Sequence, residues 1–587
     1  MNLDRRFRLA VRLVPVILAL SGLTVHAQQG APSATYYVDC ESGAMGSDGS
    51  LGRPLQSVGA VNALTLRAGD RVLMKRGTLC RGALRPKGSG GDGLPIRLGA
   101  YGEGDLPRIE AGATDEAALE LHDQEFWEIS QLDLKGGLVY GVFVESQTKI
   151  LHHVYLVDLR VHDVRGKLTR KASGLVVIKA RGSQPKAGFE NVQIDGVMAY
   201  RTTQWAGIFV SNATHVRISN SVVHDVQGDG IVIFTARDAL IAQSVAWHTG
   251  MEPQETIGTP NAIWTWACVD CVVRNNEAFL TDSPGVDGGA FDIDFANTRN
   301  TVQGNFGHDT AGYCVSVFGA FGPTVHSVVA DNLCLNNGMS ARLAQRQGAL
   351  LLMTWQGGTI DGLDIRGNRV GWQPPGRTPL LQIGADLSAN DVTLTHNEFE
   401  STGASFVNAG LKYTGTQNTC VVVGTPTLPK EDGTVIRGCS LLGARKSTLL
   451  TQESKRGFQA ATGWTLNIDI PADIRKKDLD DFRAILIASE SAQLQFGPAG
   501  LRVVLTAGEK ELTVARDLDL TEGNLVLRRA IIPHHEHLRV RLTSSSGKII
   551  REWKKYPNPA DIGYTLWRNL GHPTFSHLGF ADTPAVP

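Results

Sequence analysis

The 587 residues carry a formal net charge of −1, and no basic stripe dominates, which argues against general nucleic-acid binding. No segment beyond the N-terminus is long and apolar enough to cross a bilayer. Eight cysteines in a chain that opens on an export signature point to disulfides.

The export signature is Arg5, Arg6, Arg8 and Arg12, then an apolar run over 13–25, then Val25-His26-Ala27. This order of basic, apolar and small residues reads as a secretory signal over 1–27, and the mature protein is expected to be secreted or periplasmic, with no stable membrane insertion. Losing four Arg and one Asp with it leaves a net charge of −4. Residues 28–34 form a linker.

The fold proper begins with a strand over 35–39. Residues 54–66 are predicted to form a short amphipathic helix, followed by a turn at 67–70, a strand over 71–75, a Gly-rich basic loop over 82–91 and a strand over 94–101. Residues 35–110 are expected to cap one open end of a solenoid and supply its first coils. Cys40 with Cys80, and Cys420 with Cys439, look like local pairs; Cys314 and Cys334 lie close in sequence, and Cys268 and Cys271 sit beside a corner. A structural role is favoured for the last two over half a zinc site. Spacing alone assigns no pairing.

In the middle of the chain one phrase recurs: an apolar strand, a polar corner, a Gly or Ala, then another strand. Aligned by eye, one column reads His162, Tyr200, His224, His248, Leu280, Asp309, Asn336, spaced roughly 24–38 residues apart. A repeat of that size, built of strands, means stacked coils. Equivalent residues of neighbouring coils then lie about 4.8 Å apart. Strands such as 230–234 and 350–353 are nearly continuous in apolar residues, as buried parallel strands are. Asn220, Asn276, Asn305 and Asn332 fall at corners, where Asn accepts a left-handed backbone and can stack as a hydrogen-bonded ladder.

Regularity fades after about residue 424, and 426–432 looks like a break. Alternating strands follow at 466–470, 484–488, 501–506, 512–515, 538–542 and 549–553. They predict a small antiparallel, sandwich-like β domain over 465–560, with a loop tail over 569–587.

The stretch YYVDCESGAMGSDGSLGRPLQSVGAVNALTLRAGDRVLMKRGTLCRGALRPKGSGGDGLPIRLGAYGEGDLPRI resembles the opening of secreted parallel β-helix proteins of the pectate-lyase-like superfamily. The run GGAFDIDFANTRNTVQGNFGHDTAGY (288–313) is similar to a coil pair of that group, and SKRGFQAATGW (454–464) to a signature that follows the helix. The resemblance covers roughly 35–465. It implies an all-β fold, a right-handed parallel β-helix over 35–450 with an N-terminal cap. Members include lyases, hydrolases and epimerases, so it does not select a reaction.

Stacking the strands that follow each corner gives two outward columns: Phe209/Ser211, Val232/Phe234, Trp264/Trp266, Asp292/Asp294, Cys314/Ser316. Residues i and i+2 share a strand face. Phe291, Ile293 and Phe295 are therefore expected in the core, with Asp292 and Asp294 outward beside Trp264 and Trp266. Two carboxylates placed together raise one another's proton affinity, so one can serve as acid while the other serves as base or nucleophile. Indole faces suit sugar rings.

Catalysis is assigned to Asp292 and Asp294, with Asp309 and His308 in support. Trp264, Trp266, Asp287, Asp229, His248 and Glu255 are assigned to substrate binding; Glu252 and Glu255 lie in an insertion over 249–260. No cofactor is required on this reading, although oxygen ligands on that face could take Ca²⁺. The expected activity is glycoside hydrolysis by a monomer on a polysaccharide. Clustered Asp with a nearby His also marks polygalacturonase-type β-helix hydrolases, whose full motif order this chain lacks. The alternatives are a polysaccharide lyase, for which Arg274, Arg299, His308 or Tyr313 would supply base or charge, and a non-catalytic binding protein.

Overall fold

The computed structural model describes residues 33–422, apart from 182–186, 252–256, 309, 372–378 and parts of 336–347 and 402–412. Beyond 422 it describes six strands. Strand after strand pairs in parallel with its equivalent one coil away, as in Gly174–Ala180 with Ala206–Ser219 and Ile263–Trp266 with Phe291–Ile293. This is the right-handed parallel β-helix expected from the sequence. Its coils have three strand faces around one apolar column that runs from Val38 to Cys420.

The first face carries Tyr140–Ser146, Gly174–Ala180, the start of Ala206–Ser219, the start of Ile231–Ala242, Ile263–Trp266, Phe291–Ile293, Val315–Ala320 and Leu350–Trp355. The second face continues from the first through the long strands Ala206–Ser219 and Ile231–Ala242, which bend at left-handed Asn212 and Thr235. The third face is a separate sheet of fourteen strands, Leu79–Arg81 through Cys439–Leu442.

At the N-terminal end the helix is shorter than predicted, Val58–Asn62. Ser57 caps it by accepting a hydrogen bond from the Ala60 N–H at 3.2 Å, and Val58 and Val61 cover the core. All eight cysteines are paired: Cys40–Cys80, Cys268–Cys271, Cys314–Cys334 and Cys420–Cys439. Among the described residues no helix is long and apolar enough to cross a membrane.

The corner ladder exists with a different membership. It runs Ser221, Ser244, Asn276, Asn305, Asn332, Asn368, Asn397, Asn418, each accepting the backbone N–H of its predecessor. From Asn305 onward each rung also receives an amide N–H of the previous Asn at 2.9–3.1 Å. Asn220 is not a rung; it bonds Asp195. The left-handed residue is the one before each rung, as at Asn220, Asn275, Asp331 and His396. The corner therefore divides two tasks between two residues: one turns the chain, and the next satisfies the N–H groups that the turn strands in the interior.

The repeat column also shifts by one residue. On the third face His162, Tyr200 and His224 continue into Trp247, Phe279, His308 and Leu335, not into His248, Leu280, Asp309 and Asn336. Ring centroids along this stack lie 4.4–5.7 Å apart, with near-parallel planes. The insertions between coils vary in length, and a slip of one residue exchanges the two faces of a strand.

The C-terminal strands form one sheet in the order Lys510–Leu518, Leu501–Ala507, Trp464–Ile470, Arg539–Thr543, Ile549–Trp553. It is mixed rather than antiparallel, since Trp464–Ile470 and Leu501–Ala507 run parallel. The strand expected over 484–488, the break at 426–432 and most of the signature at 454–464 lie outside the described residues.

Candidate active site

Phe291–Ile293 sits centrally on the first face, with Phe291 and Ile293 in the core. Asp292 consequently points away from the core, in register with Trp264 on one side and Ser316 on the other. The strand ends at Ile293, so Phe295 does not return to the core as expected. It is partly exposed and meets Trp266 edge-on, with centroids 5.3 Å apart.

Asp292 is outward but not open: it is 1% exposed. Its Oδ1 accepts from Ser316 Oγ at 2.6 Å, and its Oδ2 from Asn261 Nδ2 at 3.2 Å. Asn261 is itself fixed, since its Oδ1 receives the Gly289 N–H at 2.8 Å and lies 2.9 Å from the Tyr313 hydroxyl. The same hydroxyl lies 3.3 Å from Asp287 Oδ1. One coil earlier, the Asn261 backbone N–H donates to Asp229 Oδ1 at 3.1 Å, and Trp205 Nε1–H donates to Asp229 Oδ2. A single network thus links Asp229, Asp287 and Asp292.

Two glycines permit this. A Cβ at Gly228 would lie 2.3 Å from the Trp205 ring, and one at Gly289 would lie 2.0 Å from the Tyr313 ring. With hydrogen there instead, both rings lie flat on the turns and deliver their polar tips to the carboxylates.

Burial pushes the Asp292 carboxyl well above the usual range, and the charges of Asp294 and Asp287 push it further. Asp294, partly exposed, is raised well above the usual range by its surroundings' desolvation and by Asp287, against the Phe295 N–H and Lys171. Asp229, fully buried, is pushed up to about 6 by desolvation, against Lys171, Trp205 and Asn261. The Tyr313 phenol is also raised, by burial and then by Asp287 and Asp292. Like charges in a water-poor site retain protons that isolated carboxylates would have lost.

Among the described residues one cation answers them. Lys171, on the loop before Gly174–Ala180, holds its Nζ 5.5 Å from the Trp205 ring centre and 5.7 Å from that of Trp264. Sequence reading placed no Lys or Arg on this face, because a loop residue carries no strand register. Asn261, Ser316 and Trp205 were missed as well. Ser316 was in the aligned columns, and its register with Asp292 was the signal available.

The expected residues separate into groups. Asp292, Asp294, Asp229 and Asp287 come together with Trp264 and Trp266. Trp264 is only 2% exposed and lies beneath Lys171, so it does not form an open sugar platform; Trp266 is partly exposed. His308 belongs elsewhere. It is fully buried on the third face, stacked on Phe279, with Nε2 3.0 Å from Glu277 Oε1. His248 bonds Asp225 at 3.1 Å, beside a hollow of about 340 Å³ lined by Arg165, Arg201, Thr203 and Asp225. Asp309, Glu252 and Glu255 lie outside the described residues. Arg274 is exposed on the second face, and Arg299 pairs with Asp270. Among the described residues no three His, Cys, Asp or Glu side chains converge to hold an ion.

No family model and no curated protein matches the chain. Solved structures do. The GH136 lacto-N-biosidase from Eubacterium ramulus is 21% identical, with 66% of this chain and 68% of that chain covered and a TM-score of 0.48. The A-module of mannuronan C-5 epimerase AlgE4 from Azotobacter vinelandii is 15% identical over 60% and 91%, with a TM-score of 0.42. Pectate lyase Pel9A is 15% identical over 58% and 80%, with a TM-score of 0.34. Likeness of chain path at such identity does not carry chemistry from one protein to another. In architecture, the chain is a right-handed parallel β-helix.

Proposed function

We propose that this protein is an exported enzyme that cleaves a polysaccharide, and specifically a glycoside hydrolase acting through Asp292 and Asp294. The observation that carries the reading is the placement of these two carboxyls two residues apart, Asp292 on the strand Phe291–Ile293 and Asp294 just past its end, in a site whose desolvation and other acids keep their proton affinity high. The pair binds a proton where a lone Asp would not, and the partner remains able to ionise. The protonated carboxyl gives its proton to the glycosidic oxygen as the bond from C1 to that oxygen breaks. The ionised carboxyl either attacks C1 or takes a proton from the water that does.

A lyase would need a base to abstract the proton next to a uronate carboxyl. Tyr313 is the phenol in this site, and its burial and acidic neighbours hold it protonated, which favours hydrolysis. The test is to incubate the protein with neutral and uronate polysaccharides, following new reducing ends and the ultraviolet absorbance of unsaturated uronates. Reducing ends are expected without absorbance, and Asp292→Asn and Asp294→Asn should abolish them. Absorbance rising in step with reducing ends would replace the hydrolase with a lyase.

A further inference from the structure

Beside Asp294 the first face ends in a corner that takes a left-handed residue in successive coils: Thr235, Ala267, Ala296, Phe321 and Gln356. The backbone requirement is structural, and four of the five coils meet it with a small or polar residue. Phe321 does not. It holds a bulky ring in the left-handed region, where such residues are genuine outliers, and it is 69% exposed. Among the described residues it is the large aromatic side chain left most open to water. The left-handed backbone is the corner's own requirement, but the exposure of the ring to water contributes nothing to folding.

Phe321 is not isolated. Its ring lies 5.4 Å from Phe295, which lies 5.3 Å from Trp266 and 5.7 Å from Trp355, all edge-to-face. Trp266, Phe295 and Trp355 are each partly exposed. The four rings make a continuous aromatic shelf beginning at the residue that follows Asp294. On the opposite side Lys171 covers Trp205 and Trp264. Among the described residues, the aromatic surface accessible to a ligand therefore lies on one side of the carboxyl pair.

The geometry points to the shelf of Trp266, Phe295, Phe321 and Trp355 as a binding subsite for the rings of an uncharged glycan, whose chain runs from the carboxyl pair across the shelf. The inference rests on the hydrolase reading for the position of the cleaved bond. The shelf presents rings without charged side chains among them, and ring faces receive the C–H faces of sugars. Among the described residues, four acids, Asp229, Asp287, Asp292 and Asp294, stand around one cation, Lys171, at the adjoining site, which leaves the carboxylates of a polyuronate little positive charge to pair with.

The test is native gel electrophoresis of the full chain through gels holding neutral xylan, galactan or β-glucan, or anionic polygalacturonate or alginate, with reducing ends assayed on the same polymers. At least one neutral polymer should retard the protein. Phe321→Ala and Trp355→Ala should each weaken that retardation on the order of tenfold, while Leu51→Ala, at an exposed apolar residue of the cap, should leave it unchanged. Parent-like retardation of both shelf variants overturns the subsite, as does retardation by anionic polymers alone or by none. Retardation lost in the shelf variants, with no reducing ends formed by the parent, upholds the subsite and removes the hydrolase.

Discussion

Two stacks of outward side chains run along the same coils, and they treat charge in opposite ways. On the third face each acid meets a base. Burial alone would raise Asp225, but hydrogen bonds from His224 and His248 outweigh it and hold the carboxyl below the usual range. Arg201 does the same for Asp163, with His162 and Arg165 adding to it. On the first face acids meet acids, and Asp229, Asp292 and Asp294 all move up. Desolvation opposes ionisation in both regions: on the third face neighbouring bases overcome it, whereas on the first it prevails, reinforced at Asp292 and Asp294 by neighbouring acids and only partly offset at Asp229 by Lys171. The third face is arranged as a stabilising seam, whereas the first keeps an arrangement that opposes folding at neutral pH and suits proton transfer.

The sharpest way to break this contrast is to remove one acid from the first face. Asp292→Asn and Asp294→Asn should each lower turnover about 10²–10⁴-fold without lowering the melting temperature at pH 7, because each removes like-charge repulsion. Near-parent rates in two folded variants would end the assignment. The matching change on the third face is His308→Ala. It leaves Glu277 buried without its imidazole partner and should destabilise the chain by about 3–5 kcal/mol. Turnover per folded molecule should be unchanged, and a large rate loss in material that melts normally would return His308 to the active site.

A pH series sharpens the same contrast. A carboxyl whose folded pKa is raised makes the native state bind protons more tightly than the unfolded chain, so stability is greatest at low pH and falls as pH rises through the window. For Asp229 that window runs from 3.8 to about 6, a loss of about 3 kcal/mol. Asp229→Asn should therefore gain stability relative to the parent between pH 4 and 7, measured by denaturant titration at each pH. A difference independent of pH would show that Asp229 is not raised.

The smallest effect is expected at Lys171. Its charge lowers Asp229 and Asp294, so Lys171→Met should move the limb of the pH–rate profile that Asp294 sets to higher pH. An unmoved profile would leave Lys171 as packing on Trp205 and Trp264.

Much of this was legible in the residues. The apolar alternation around Asp292 was enough to place Phe291 and Ile293 inside, and the repeat set Trp264 beside Asp292, because a parallel coil conserves register from one turn to the next. The alignment failed at His248, where the coil is one residue shorter than the one before it and the column shifts by one, so that Trp247 and not His248 stacks on His224. It was incomplete at Asp292 itself, which points outward as expected but is enclosed by Ser316 and Asn261.

By itself the sequence determined the solenoid: a period of two within strands, polar corners between them, and acids at two adjacent outward positions. Tertiary structure alone decided what those positions became. Period tells which way a side chain points, whereas pKa depends on what covers it and which charges are near. Those covers here, Lys171 and Trp205 for Asp229 and Tyr313 with Asn261 for Asp292, come from loops and coil starts whose positions no strand pattern encodes. The same outward direction that leaves Phe321 in water puts Asp292 in a desolvated site, since solvation is a property of the surroundings and not of the strand.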